Sequence, residues 1–206
     1  MKTIYFVRHA QSEANLKDIL ASRQDFHLTE QGIADAKAIA AEFKQTANIN
    51  RVFASNLTRA KQTAAAFAQE FGIEVEIDDR ITEQELGKFA GKTYAELDAE
   101  PTYMHDRDKR WEWVPDGGGE SYKMIAERLV PFFQDLDSLE GESILFVTHA
   151  VTMRMIKAIL EQTLPEYPYN IAHNGEIWKI EYKGYGATHS VESIFLGQSK
   201  SAVSRA

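Results

Sequence analysis

Arg8-His9 and Thr148-His149 each follow directly on a short apolar run, IYFV at 4–7 and ILFV at 144–147. A third apolar segment, 51–54, leads to a helix start that carries Arg59. A fourth, around Val75 and Ile77, is followed by Asp78, Asp79, Arg80 and then Glu83. Read as strands, all four deliver polar groups at their carboxyl ends: two His, two or three Arg and a Glu towards one sheet edge. Two arginines suit a phosphate or carboxylate through paired N–H donors. Helix N-termini after the first two strands add oriented backbone donors for an anion. An imidazole, with its usual pKa of about 6.5, is a usable nucleophile at neutral pH. Two His and a carboxylate also have the composition of a metal site, but adjacent arginines repel a divalent cation. The grouping favours an anion.

The elements that must position these groups alternate. Both IYFV and 144–148 are continuously apolar and β-branched or aromatic, as strands buried on two faces are. Thr29 is placed to cap a helix whose apolar face is Ile33, Ala36, Ile39, Ala40 and Phe43. Ser55 or Asn56 is placed to cap the next, with Ala60, Thr63, Ala64, Phe67, Ala68 and Phe71 on one face and Gly72 as its stop. Thr93 and Glu96 predict a capping box for a helix at 93–100. Residues 101–118 read as irregular. A helix follows at about 121–138, where Pro131 predicts a kink or a split. A helix at 151–164 and an amphipathic strand at 176–182 complete the pattern, and the tail from about 197 reads as weakly ordered. Strand–helix–strand repetition implies an α/β three-layer sandwich, with a mostly parallel central sheet flanked by helices. Functional loops then lie at the carboxyl ends of the strands.

At 206 residues, 44% hydrophobic and 26% charged, the sequence predicts one domain over 1–206 with a buried core. Its apolar runs fall far short of the roughly 20 residues that span a bilayer. The N-terminus is too short in apolar residues for a signal peptide, so a cytoplasmic location is expected. The absence of cysteine excludes disulfides and thiolate chemistry. With 23 basic against 31 acidic residues the net charge is −8, which disfavours nucleic-acid and anionic-membrane partners. The expected partner is a small-molecule phosphate ester held in a local basic pocket; a homodimer is left open.

RHAQSEAN at 8–15 resembles the Arg-His-Gly-x-Thr-x-x-Asn signature of the histidine phosphatase superfamily, which includes the cofactor-dependent phosphoglycerate mutases. SNLTRAKQTA at 55–64 is similar to its Ser-x-Leu-x-Arg-Ala-x-x-Thr-Ala motif. DRITEQELGKFAG at 79–91 is similar to the segment that carries the family's acid. GGGES at 117–121 and ILFVTHA at 144–150 resemble two further elements. The motifs stand in family order over about 1–165. The resemblance implies a phosphoglycerate mutase-like domain with a lid insertion at about 91–120.

It also implies roles. His9 would accept the phosphoryl group on a ring nitrogen. Arg8, Arg59 and His149 would bind phosphate and stabilise its equatorial oxygens, with Ser12, Asn15 and Ala150 beside them. Glu83 would protonate the leaving oxygen and later activate water. Phosphoryl transfer is largely positioning and charge stabilisation, so no metal and no organic cofactor is implied. Glu85, two residues from Glu83, is the competing acid.

Ala10 and Ala150 depart from the family's usual glycines, Ser12 from threonine, and Phe89-Ala90 from the common Trp-Glu pair. The alanines bear on how closely backbone approaches a phosphate. His27, His105, His173 and His189 match nothing catalytic and read as surface or pocket-rim residues. Tyr103, Trp111 and Trp113 read as packing, in a segment that lids the site in this family. The reading is a metal-independent histidine acid-type phosphatase, a phosphomonoesterase acting through phosphohistidine. A cofactor-dependent phosphoglycerate mutase is the alternative, although the segment from Gly91 to Gly117 is short and carries no paired arginines of the mutase type. A non-catalytic phosphate-binding module is a further alternative.

Overall fold

Central strands that are apolar at every position must be covered on both faces, and this sequence builds them so. The computed structural model describes residues 2–197; the tail beyond Gly197, predicted to be weakly ordered, lies outside the described residues. Strand β1 (Lys2–Arg8) lies between β4 (Ser143–Thr148), parallel to it, and β5 (Ile177–Tyr182), antiparallel. With β2 (Arg51–Ala54), β3 (Val75–Ile77) and β6 (Glu192–Phe195) the sheet order is β3-β2-β4-β1-β5-β6. The first four in that order run parallel, and β5 and β6 pair antiparallel.

Alternation along the strands makes two cores. Ile4, Phe6, Ile144 and Phe146 pack with α5 (Tyr122–Ser138) and α6 (Ala150–Glu161). Tyr5, Val7, Leu145 and Val147 pack with α2 (Glu30–Lys44) and α3 (Thr58–Phe71) on the other face. The result is the three-layer α/β sandwich predicted from the sequence. Gly72 ends α3 in the left-handed conformation at φ +69°, where a side chain would be strained. Gly32, in the first turn of α2, lets that helix press on the loop after His9: a Cβ there would stand 2.0 Å from the Gln11 carbonyl oxygen.

Several local expectations are corrected. Helix α5 is one helix through Pro131, which sits on its exposed side, where water can serve the carbonyl left without an N–H. Ile33 is 39% exposed rather than on the inner face of α2. The Thr93–Glu96 capping box forms, but its helix α4 is only Tyr94–Leu97. Helix α6 spans Ala150–Glu161 and stops at Gln162, which takes the left-handed conformation. The short α1 (Glu13–Leu16) and the edge strand β6 are additional elements.

Candidate active site

The carboxyl ends of β1, β2 and β4 open on a cavity of about 610 Å³, lined on one side by Arg8, His9, Ser12, Asn15, Arg59, Glu83 and Ala150. His9 leaves β1 by donating its backbone N–H to the Thr148 carbonyl on β4. Its Nδ1 lies 2.7 Å from the Ala10 carbonyl. A carbonyl only accepts, so Nδ1 carries the proton and Nε2 keeps its lone pair. Burial, then the charges of Arg59 and Arg8, holds the His9 pKa well below its ordinary value. The ring is therefore neutral at pH 7.

The loop behind His9 is over-determined. Ala10 donates its N–H to Thr63 Oγ1, which in turn donates to the Arg59 carbonyl. The Ala10 side chain packs with Leu28 and Ala36. The methyl that replaces a family glycine therefore points into a small apolar contact. Asn174, fully buried, donates to the carbonyls of His9 and Ala10 and to Asn15 Oδ1. Ser12 and Asn15 form a capping box on α1. Asn15 Oδ1 thereby accepts from Ser12 N, Ser12 Oγ and Asn174 Nδ2, leaving its own Nδ2 donors uncommitted beside the cavity.

Arg8 donates to the Ala172 carbonyl at 2.7 Å, and Arg59 to those of Ser22 and Gln24 at 2.7 and 2.9 Å. Carbonyls orient these guanidinium groups without cancelling their charge. Burial lowers the Arg59 pKa to about 10, so it stays charged at neutral pH. At the start of α3 one of the predicted backbone donors, that of Thr58, is already taken. Leu57 is its N-cap, and Asp25 accepts from Thr58 N and Thr58 Oγ1 at 2.8 and 2.7 Å. Ser55, predicted as a cap, instead meets His149, with Oγ 2.6 Å from Nε2.

Of the two candidate acids, Glu83 lines the cavity and Glu85 does not. The segment that carries them is clamped from both sides. Thr148 Oγ1 donates to the Ile81 carbonyl, and Thr152 Oγ1 and Arg128 donate to that of Thr82. Arg23 donates to the Glu83 carbonyl, and Ser22 to that of Gln84. Glu120, of the GGGES motif, holds both clamping arginines at 2.7 Å (Arg128) and 2.9 Å (Arg23). The Glu83 carboxylate accepts from Val151 N and Thr152 N at the start of α6, each at 3.3 Å, where a helix favours negative charge. Glu85 is occupied by Gly87 N and Ser22 Oγ.

His149 is fully buried and stands behind His9, with ring centroids 5.2 Å apart, rather than on the cavity wall. Its pKa too is held well below the ordinary value by burial and by Arg59. Arg80, the optional third arginine, pairs with Asp78 and Asp135 away from the cavity. Among the remaining histidines only His105 reaches the cavity. His189, predicted at the surface, is buried and stacked on Tyr182 at 5.1 Å. The aromatic group predicted as packing divides: Tyr103 and Trp113 pack on Phe89, at 5.2 and 5.9 Å, and Trp111 on the main core. Asn174, Thr152, Ser55 and Arg154 are site-shaping residues the sequence reading missed. Only Ser55 stood within a recognised motif.

The profile of the histidine phosphatase superfamily (branch 1) matches residues 4–192. "Putative phosphoserine phosphatase 2" of Hydrogenobacter thermophilus is 30% identical over 196 residues, covering 91% of this chain and 93% of that protein. A 2,3-bisphosphoglycerate-dependent phosphoglycerate mutase of Brucella melitensis is 31% identical over 175 residues, covering 80% and 84%. The solved structure of a mycobacterial glucosyl-3-phosphoglycerate phosphatase superposes with a TM-score of 0.83 at 23% identity, covering 96% of this chain and 100% of that one. This chain belongs to branch 1 of the histidine phosphatase superfamily.

Proposed function

We propose that the protein is a phosphomonoesterase that hydrolyses phosphate esters through a phosphohistidine on His9. The observation that carries this reading is the Nδ1–carbonyl bond of His9, which leaves a neutral Nε2 lone pair at the cavity. Nε2 attacks phosphorus and the bond to the ester oxygen breaks. Glu83 gives its proton to that oxygen, so the alcohol leaves neutral. A dianionic phosphate arriving beside a carboxylate favours the protonated form needed for this step. Arg8 and Arg59 hold the equatorial oxygens as charge shifts between them, with Asn15 Nδ2 and His149 as further donors. In the second half Glu83 takes a proton from water, whose oxygen attacks phosphorus. The P–N bond breaks and inorganic phosphate departs.

A phosphoglycerate mutase is the second reading, favoured by the mutase relatives; it would return the phosphoryl group to a sugar acid instead of water. The deciding test is mass spectrometry after a quench that avoids acid. A phosphoryl adduct on His9 and no turnover by His9→Ala are expected. An adduct elsewhere, or full activity in His9→Ala, would overturn the mechanism. Efficient isomerisation of 3-phosphoglycerate primed by 2,3-bisphosphoglycerate would install the mutase reading. No turnover of any aryl phosphate would leave only a phosphate-binding module.

A further inference from the structure

Among the described residues three that are not glycine take the left-handed backbone: Asp18, Ser22 and Gln162, at φ +53°, +50° and +57°. Gln162 only ends α6. Asp18 and Ser22 belong to one stretch, 18–22, every residue of which lines the cavity. Aspartate visits this region of backbone space readily. A serine there carries strain, and such strain persists only where the surroundings fix it.

What fixes Ser22 is the site itself. The residue is buried, and its carbonyl accepts from Arg59 Nη2 at 2.7 Å, so it aims that guanidinium. Its hydroxyl meets the segment after Glu83: Oγ donates to the Gln84 carbonyl at 2.8 Å and accepts from Leu86 N at 2.9 Å. The next residue, Arg23, donates from Nε to the Glu83 carbonyl at 2.9 Å. The same stretch is laced to residues 91–94. Leu20 N–H donates to the Lys92 carbonyl at 2.8 Å, Gly91 N–H to the Leu20 carbonyl at 2.9 Å, and Tyr94 N–H to the Asp18 carbonyl at 3.1 Å. Glycine at position 22 would take the left-handed backbone without strain but has no hydroxyl. Alanine would keep the strain and leave the buried Gln84 and Leu86 backbone groups without the partner they have here.

We propose that Ser22 is a positioning residue for phosphoryl transfer: its carbonyl and hydroxyl together set the distance between Arg59 and the backbone that carries Glu83. Arg59 holds the phosphate oxygens and Glu83 must reach the ester oxygen on the same phosphorus, so this distance governs proton delivery. A misplacement of about 1 Å costs up to about 10²-fold in rate. The inference rests on the phosphatase reading above, with Glu83 as the acid, and adds the residue that joins the two halves of its machinery.

The test measures His9 phosphorylation in single turnovers of glycerol 3-phosphate and of p-nitrophenyl phosphate, and reads the ratio of the two rates within each protein. Only the alkyl ester needs a well-placed acid, so a misplaced Glu83 lowers the alkyl rate selectively, whereas general damage lowers both alike. Ser22→Ala should lower the alkyl rate by about ten-fold or more relative to the aryl rate. A ratio corrects for any loss of active protein. Ser22→Gly should unfold at a higher urea concentration than Ser22→Ala, because glycine tolerates the left-handed backbone, and yet show the same selective loss. That pairing separates the hydroxyl from stability. A ratio unchanged in both Ser22 variants but shifted in Glu83→Gln would overturn the role of Ser22 and leave the phosphatase reading intact. Selective loss confined to Ser22→Ala would trace the effect to backbone strain and overturn the role of the hydroxyl. No phosphorylation of His9 by either ester in the unsubstituted protein, or no shift in Glu83→Gln, would overturn the reading on which the inference rests, and Ser22 with it.

Discussion

Ser55 Oγ lies 2.6 Å from His149 Nε2, and this contact decides which nitrogen of the second histidine carries the proton. Leu57 N–H donates to the same hydroxyl at 3.4 Å, and among the described residues that hydroxyl has no acceptor other than Nε2, so its hydrogen is directed there. The imidazole proton then sits on Nδ1, which is buried and has no partner among the described residues. An unpaired donor next to His9 is a standing cost that a bound phosphate oxygen would relieve.

Ser55→Ala therefore removes the only hydrogen bond that the fully buried ring makes among the described residues. The expected destabilisation is about 1–3 kcal/mol, the cost of leaving a buried polar group unsatisfied. Urea melts measure it, and phosphoryl transfer to His9 should slow in the same variant because the tautomer is no longer fixed. An unaltered urea midpoint together with an unaltered burst rate would refute this role for Ser55.

Stability should fall on mild acidification. The pKa values of His9 and His149 are held well below the ordinary histidine value, and that of buried His189 is lowered too, each mainly by burial. The unfolded chain takes up protons near pH 6.5 at these positions and the folded chain does not. Stability therefore rises with pH up to about 6.5 and is lost below it. Urea midpoints between pH 7.5 and 5 should decline across that window, and the decline should be shallower in His9→Asn. A flat profile, or equal slopes in the two proteins, would contradict the burial of neutral rings.

Two kinds of position separate what was legible in the sequence from what was not. Ile4–Val7 and Ile144–Val147 are apolar at every residue, and a strand can be so only if helices cover both faces; the split of Phe6 and Val7 between two cores follows from period two. Arg8 ends β1 and His9 follows it, while Arg59 and Glu83 stand on the segments that leave β2 and β3, so topology alone brings them to one edge. Contacts across the fold left no such mark. Asp25 displaces Ser55 as the local cap of α3 through a contact spanning 33 residues. Asn174, which fixes the carbonyls of His9 and Ala10, lies 165 positions from His9. Strand β6, mostly exposed at an edge, has no buried face to print a pattern.

Activity should survive removal of divalent cations. Arg8 and Arg59 line the cavity beside His9, and Arg59, with a pKa lowered by burial to about 10, is positively charged at neutral pH; positive charge there gives the service of a metal ion in other phosphoryl-transfer sites. Turnover of p-nitrophenyl phosphate after EDTA treatment and gel filtration should match the untreated protein. Strict recovery by an added divalent ion would restore the metal-site reading of the two histidines and Glu83.

The choice of Glu83 over Glu85 as the acid is tested by leaving groups. Protonation matters most when the departing oxygen is a poor leaving group, such as an alkoxide, whereas nitrophenolate departs with little help. Glu83→Gln keeps the size of the side chain and can still accept from Val151 N and Thr152 N, but it has no carboxylic proton to give. Phosphorylation of His9 by alkyl phosphates should slow by about 10²–10⁴-fold, the usual range for lost acid–base catalysis. The same step with p-nitrophenyl phosphate should suffer much less. Water also loses its base, so phosphohistidine should accumulate during turnover of the aryl ester and appear as a burst of nitrophenol. Glu85→Gln is the control: its amide oxygen can still accept from Gly87 N and Ser22 Oγ, the two groups that Glu85 serves. It should behave nearly like the unsubstituted protein on both esters. Equal losses on alkyl and aryl esters in Glu83→Gln would remove the acid role from Glu83. A selective loss in Glu85→Gln instead would move the role two residues along and require the segment clamped by Arg23, Arg128 and Thr152 to turn over before it reacts.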